Sequence, residues 1–236
     1  MNFRLKANLI LFAVFLVLAL PAGWYVNSVV VKQSNEQVVK QAAILMESAL
    51  AVRSYTIDLI KPTLDPMLEQ KFLAQTVPAF AATETFERFR KKFPNFKYKE
   101  AVLDPTNPRD LADEQERAII GRFVDDPALQ ETAGELYRNQ SRFYYVARPI
   151  QIKNPACLAC HDTPDRAPAT MRQIYGDKGG FGWKYNQIVG AQIIFAPAFE
   201  QDAATKGMLT MIAILIAATF LILVLVVNLL LPRHDA

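Results

Sequence analysis

Arg142-Phe143-Tyr144-Tyr145-Val146-Ala147-Arg148-Pro149-Ile150-Gln151-Ile152, then Lys153-Asn154-Pro155-Ala156, then Cys157-Leu158-Ala159-Cys160-His161: this stretch runs from an aromatic-rich segment into the chain's only two cysteines. Its aromatic and β-branched residues predict a strand, and Asn154-Pro155 ends it. The strand delivers the chain to a five-residue window holding both cysteines and one of the two histidines of the whole sequence. Cys-x-x-Cys-His is the attachment signature of a c-type haem.

Each residue type in that window has a task. Two thiols add across the two vinyl groups of a haem to form thioethers, and the two-residue spacer sets their separation. The adjacent His161 then lies under the ring, where its imidazole can ligate iron as the proximal ligand. One covalently attached haem c is therefore expected. The sequence has only two cysteines, so a four-cysteine zinc site or iron–sulfur cluster would need distant carboxylates, and His234 is nearly terminal. A redox dithiol would want a following helix in a strand–helix pattern, and a structural disulfide is the other competitor. Here the proline-broken loop Asp162-Thr163-Pro164-Asp165-Arg166-Ala167-Pro168 follows instead.

The charge balance is mild, 26 Lys and Arg against 23 Asp and Glu, while 52% of the residues are hydrophobic. Much of that apolar excess sits at the ends. No charged residue occurs in 7–31 or in 207–231, and each run exceeds the roughly 20 residues that carry a helix across a bilayer core. Two transmembrane helices are expected there, with a domain at 32–204 between them and a short cytoplasmic tail at 232–236. The first run is read as an uncleaved anchor rather than a signal peptide, because it is long and Leu20 is a poor residue three places before a cut after Ala22. Trp24 and Tyr25 suit the outer interface. Arg4, Lys6 and Arg233 favour cytoplasmic termini, which puts the domain on the periplasmic or lumenal side of an inner or thylakoid membrane. Covalent haem attachment outside the cytoplasm agrees.

Within the domain, residues 33–60 read as one amphipathic helix stopped by Pro62, and 64–80 as a proline-punctuated loop. Thr83 caps a short helix to Phe93. Its basic residues are read as a solvated face and not as a nucleic-acid patch. A strand is expected at 97–103, helices at 112–124 and 127–137, and a closing strand at 187–196. The glycines in 176–182 lack the strand–loop–helix context of a phosphate loop and are read as a flexible loop.

Taken together, the helix carrying Leu45-Met46-Glu47, Val52-Arg53 and Tyr55-Thr56, the strand Tyr145-Val146-Ala147-Arg148-Pro149-Ile150, the haem motif, the glycine loop and the final strand resemble the PAS-like, single-haem c-type cytochrome domain family known from cyanobacteria. Similar domains are extracytoplasmic sensors of bacterial histidine kinases and chemoreceptors. The resemblance implies an α+β fold: a small antiparallel sheet flanked by helices, with one transmembrane helix at each end. It also raises the sixth iron ligand, because the best-described relative resembles a His/Cys site with a helical cysteine. Here the cysteines are consumed, so Met46 on the corresponding helix is the leading candidate beside His161, with Met171 or an open site as alternatives. Arg53 and Arg148 are candidate partners of the haem propionates, with Lys178 and Lys184 behind them. Tyr55, Tyr144 and Tyr145 are expected as pocket walls.

Two functions fit these expectations. One is a redox or small-ligand sensor acting through a signalling partner, since 232–236 has no room for an output module. The other is an electron-transfer cytochrome or a haem subunit of a membrane complex. Catalysis is not expected: a peroxidase would need a distal acid–base histidine, and 32–204 contains no second one. A homodimer through the long helix is possible, and no nucleic acid is implied.

Overall fold

The computed structural model describes residues 3–231; Arg233, His234 and the expected tail at 232–236 lie outside them. The structure has two compact units, one at Val38–Ala198 and one made of the chain up to Gln37 and from Phe199 onward.

The central unit is built on a four-stranded sheet in the order β1-β4-β3-β2, from β1 (Lys97–Val102), β2 (Thr132–Arg138), β3 (Ser141–Gln151) and β4 (Ile188–Pro197). Every pairing is antiparallel. Side chains alternate across a strand, so each face takes every second residue. One face packs Tyr98, Tyr144, Val146 and Ile194 against Met46 and Ala49 of α1 (Phe3–Tyr55) and Phe86 of α3 (Pro78–Arg90). The opposite face packs Phe143, Tyr145, Ile193 and Phe195 against Ile120 and Phe123 of α4 (Glu114–Asp125). Asp113 and Glu116 form a reciprocal capping box that starts α4.

Three local expectations are corrected. The segment 127–137 is not a helix: β2 occupies Thr132–Arg138. Its burial alternates residue by residue, and Asn139-Gln140 joins it to β3 with φ of 48° and 64°. Two consecutive left-handed residues make the two-residue turn that matches the twist of a hairpin, with Asn a favoured occupant. Pro127 was a poor guide beside this turn signal.

Pro62 does not stop the long helix. A π-helical turn, Thr56–Ile60, follows α1, and α2 (Lys61–Leu64) continues from it with Pro62 at its start. The Lys61 amide donates to Thr56, five residues back. Widening the helix by one residue just ahead of Pro62 relieves the clash that a proline ring makes with the carbonyl four residues earlier. The helix expected from Thr83 instead begins at Pro78, where a first-turn proline loses no hydrogen bond and its φ is already helical.

In the terminal unit, the first part of α1 and α7 (Phe199–Leu230) are each long and apolar enough to cross a membrane, and their apolar windows are not buried in protein. Asn8 and Asn228 exchange side-chain hydrogen bonds of 3.2 and 2.9 Å. Phe15 stacks on Phe220 with centroids 4.1 Å apart, and the hydroxyls of Ser34 and Thr205 lie 2.8 Å apart. Residues early in α1 thus pair with residues late in α7, so the two helices run antiparallel.

Candidate functional site

The face of the sheet that holds Tyr98 and Val146 also carries Glu100, Val102, Ile150 and Ile152, and these line a cavity of about 240 Å³. Arg53, Ile57 and Lys61 line it from the α1–α2 region at intervals of four. Intervals of four repeat along one helix face, so the π-turn sets which side chains reach the cavity. Phe72 and Trp183 contribute aromatic wall, and Cys157, Cys160 and His161 lie in the same lining.

The motif is compact. Asn154 caps the turn Pro155–Cys157 by accepting from the Ala156 amide, and α5 (Leu158–His161) brings Cys160 and His161 around next to Cys157. Both cysteines are unpaired and part-buried, and burial pushes both thiols up from their ordinary range. Neutral thiols held this way are unlike the thiolate of a redox dithiol, whose pKa is lowered.

His161 is oriented from three sides. Its Nδ1 lies 2.7 Å from the Gly180 carbonyl, which can only accept, so Nδ1 carries the proton and Nε2 keeps its lone pair. The imidazole stacks on Trp183 with centroids 3.9 Å apart and 12° between planes. Its backbone carbonyl accepts from Trp183 at 3.1 Å. Burial lowers its pKa, opposed by the Gly180 bond, so the ring is held neutral and suited to ligate a metal. Gly180 has φ of +79°, and a Cβ there would overlap Thr106, so glycine is what lets this loop close on both His161 and the Asp104–Thr106 turn. Within the glycine stretch, Gly179 and Gly180 are the positions of close approach, Gly179 against the Pro105 carbonyl and Gly180 against Thr106.

The polar end of the cavity is made of Arg53, Glu100, Thr106, Arg109 and Asp110. Glu100 is 2% exposed. Its Oε1 accepts from Arg53 at 2.6 Å and from the Tyr98 hydroxyl, while Oε2 is buried without a partner. Burial would lower the Arg53 pKa, but the Glu100 and Tyr98 charges hold it above the ordinary value. Burial, then Glu100, pushes Tyr98 well above its own. The Asp110 carboxyl is pushed up to about 6 by burial, with Arg109 pulling it down and Glu100 raising it. Thr106 Oγ1 is also buried and without a partner.

Of the residues expected at the site, Cys157, Cys160, His161, Arg53 and Met171 are brought together. Met46 is not: it is fully buried in the core against the sheet. Seven residues of helix separate it from Arg53, about 10 Å along the axis. Arg148 is not there either, because Glu47 at 2.5 Å and Glu131 at 2.8 Å hold it elsewhere. Tyr144 and Tyr145 lie in the two cores, Tyr55 is exposed, and neither Lys178 nor Lys184 lines the cavity. Trp183, Glu100, Thr106 and Asp110 were missed. Trp183 had a signal, as the one tryptophan in the glycine stretch; the others lie in segments with no motif.

A mixed fold with helices on both faces of an antiparallel sheet, and a Cys-x-x-Cys-His turn closing a cavity at its edge, places the chain among small α+β domains that share this arrangement. The chain belongs to the Tll0287-like family, whose model matches residues 31–197. Among solved structures it is similar to that of the cyanobacterial haem protein Tll0287, with 16% identity, 67% of this chain and 94% of that one covered, and a TM-score of 0.51. At that identity the likeness is one of fold. No curated protein matches the sequence.

Proposed function

We propose that this chain is a membrane-anchored c-type haem protein, with a PAS-like domain outside the cytoplasm that senses redox state or a small ligand and passes the change to a partner. Cys157 and Cys160 form the thioethers, and His161 presents Nε2 to the iron. The observation that carries this reading is the orientation of His161: a neutral imidazole with Nδ1–H bonded to Gly180 leaves Nε2 free beside two part-buried thiols in one apolar-walled cavity. The haem supplies a one-electron couple and an iron coordination position. The chain's residues orient His161, cover the ring with Ile57, Phe72 and Ile152, and offer Glu100 and Thr106 to its polar edge.

A sensing role is supported by the π-turn. Ile57 and Lys61 line the cavity from the π-turn and the residue after it, in the helical run that continues α1, and α1 itself is one unbroken helix from Phe3. π-turns concentrate at functional sites, and a change in what the cavity holds bears directly on this one. With Met46 in the core, Met171 is the methionine at hand for a sixth ligand. The alternative, an electron carrier, is favoured by the rigid seating of His161 on Trp183, which suits a site that changes little between oxidation states.

The test is the full chain, produced in a host that matures c-type cytochromes and purified in detergent. Haem that stays with the chain through denaturing electrophoresis, and is lost in Cys157→Ala and Cys160→Ala, is the expected result. A native chain that releases its haem there sinks the proposal. Carbon monoxide should shift the spectrum of the ferrous protein; no shift turns the reading to electron transfer.

A further inference from the structure

Two carboxylates are buried in this domain, and they are treated differently. Glu116 is fully buried and fully bonded: Arg138 reaches Oε1 at 2.9 Å, and Lys99 and the Asp113 amide reach Oε2 at 2.7 and 2.9 Å. Glu100, one residue from Lys99 on the other face of the same strand, receives both of its donors on Oε1. Its second oxygen lacks a partner, as does Thr106 Oγ1, and both residues line the haem cavity. Buried polar atoms are ordinarily paired, so two orphans on the wall of one cavity point to a ligand that completes them.

We propose that Glu100 and Thr106 receive a haem propionate, and that Glu100 shares one proton with it and takes up that proton when the iron is reduced. This rests on the haem reading above. Thr106 donates its hydroxyl hydrogen to the propionate. In the ferric state the positive charge on the iron lets both carboxylates stay ionised; once reduction removes that charge, two carboxylates placed together cannot both stay ionised cheaply, and one proton is taken up between them. A one-electron reductant, such as dithionite or a reduced carrier protein, delivers the electron to ferric iron, and one proton enters from solvent. The charge of the site is thereby unchanged, and no bond other than O–H forms.

The groups around Glu100 set where this proton sits. Arg53 faces it from α1 and Tyr98 from its own strand, and both favour the carboxylate. Asp110, on the turn after β1, is a like charge to Glu100, while Arg109 pairs with Asp110 at 3.4 Å and with Glu84 of α3 at 3.3 Å. Gln192, its register partner on β4, is uncharged. Lys99 is engaged with Glu116. Arg53 pairs with Glu100, Arg109 is divided between Asp110 and Glu84, and Lys61 of α2 is held by Asp65 at 2.6 Å, so each of these three cations on the cavity wall already serves a carboxylate before the propionate arrives, which leaves room for a proton.

The experiment is a spectroelectrochemical titration of the haem-loaded full chain from pH 5 to 9. The native midpoint potential should fall as pH rises over part of this range, by up to 59 mV for each tenfold drop in proton concentration, the one-electron equivalent. Glu100→Gln should be flat. Thr106→Val, which removes a donor to the anionic pair, should move the sloping limb to higher pH, corresponding to a several-fold tighter proton. A pH-independent native potential, a slope that survives Glu100→Gln, or a slope lost in Asp110→Asn but kept in Glu100→Gln overturns the inference while leaving the haem reading intact. A chain that carries no covalent haem overturns both.

Discussion

Met46 and Asp110 show what a single position can and cannot disclose. A methionine on a helix face is a reasonable ligand candidate, and the structure places Met46 fully buried in one core cluster with Val146, Ile194 and Phe86. Met46→Ala should destabilise the chain by about 2–5 kcal/mol through the cavity it leaves, and Met46→Leu by less than about 1.5 kcal/mol. Denaturant unfolding of the purified chain measures both, and the visible spectrum of the haem-loaded chain should be the same in each; a spectral change would return Met46 to the iron. Asp110 titrates near 6 in the folded chain, above its ordinary 3.8. The folded state therefore holds this proton more tightly than the unfolded one. Stability is lost as pH rises from about 4 to 6, up to about 3 kcal/mol for the full shift. Asp110→Asn should match the native melting temperature at pH 4 and exceed it at pH 7; equal melting at both removes this role. That Cys157, Cys160 and His161 lie together is legible because they fall in one five-residue window. Glu100 and Asp110 were not, because a charged residue in a strand or turn acquires meaning only from what the fold lays over it.

At the scale of elements, hydrophobic pattern located three strands within a residue or two and failed on the fourth. β2 lies at the edge of the sheet, with alternate residues open to water, so its apolar content is too thin to outweigh the helix propensity of Ala128, Leu129 and Glu131. The Asn139-Gln140 turn was the better evidence, since it fixes the β2–β3 register through backbone conformation. Pro62 and Pro78 mislead for a related reason: one reads as a helix stop and the other as loop punctuation, when position decides whether a proline stops or begins a helix. Gly190 is the corresponding detail on β4. It pairs with Val102 of β1 and faces the irregularity at Ile150–Gln151 of β3, and a Cβ there would overlap the Ala101 carbonyl. Gly190→Ala must push β1 from β4 and should cost about 1–3 kcal/mol. Because Glu100 and Val102 are carried by β1, it should also weaken protection of the β1 amides in hydrogen exchange. Unchanged exchange across 97–102 would show that the strands tolerate the methyl group.

For the molecule as a whole, the two apolar runs were the plainest feature of the sequence, yet their pairing was not readable from it. Apolarity reports that a helix avoids water and is silent on its neighbour, since lipid tails and Leu side chains are alike to it. Pairing comes from the few departures from apolarity. Asn8 and Asn228 bond reciprocally, and an amide among apolar neighbours without a partner is costly enough that this pair favours one register of the two helices. Arg4 adds a bond to the Leu231 carbonyl near the chain ends, and Ser34 with Thr205 closes the other end of the pair. This matters for the proposed sensor, because a partner would read motion of a two-helix hairpin and not of a lone anchor. Ser34→Cys combined with Thr205→Cys tests the arrangement directly. In the haem-loaded chain the native thiols are consumed, so the introduced pair is the only one able to join. Mild oxidation should give an intramolecular disulfide, seen as two fragments that stay linked after proteolytic cleavage between them until reductant is added. Two thiols that remain open to alkylation after oxidation would break the hairpin, and chain-to-chain links in the single variants would instead place these positions at a dimer contact.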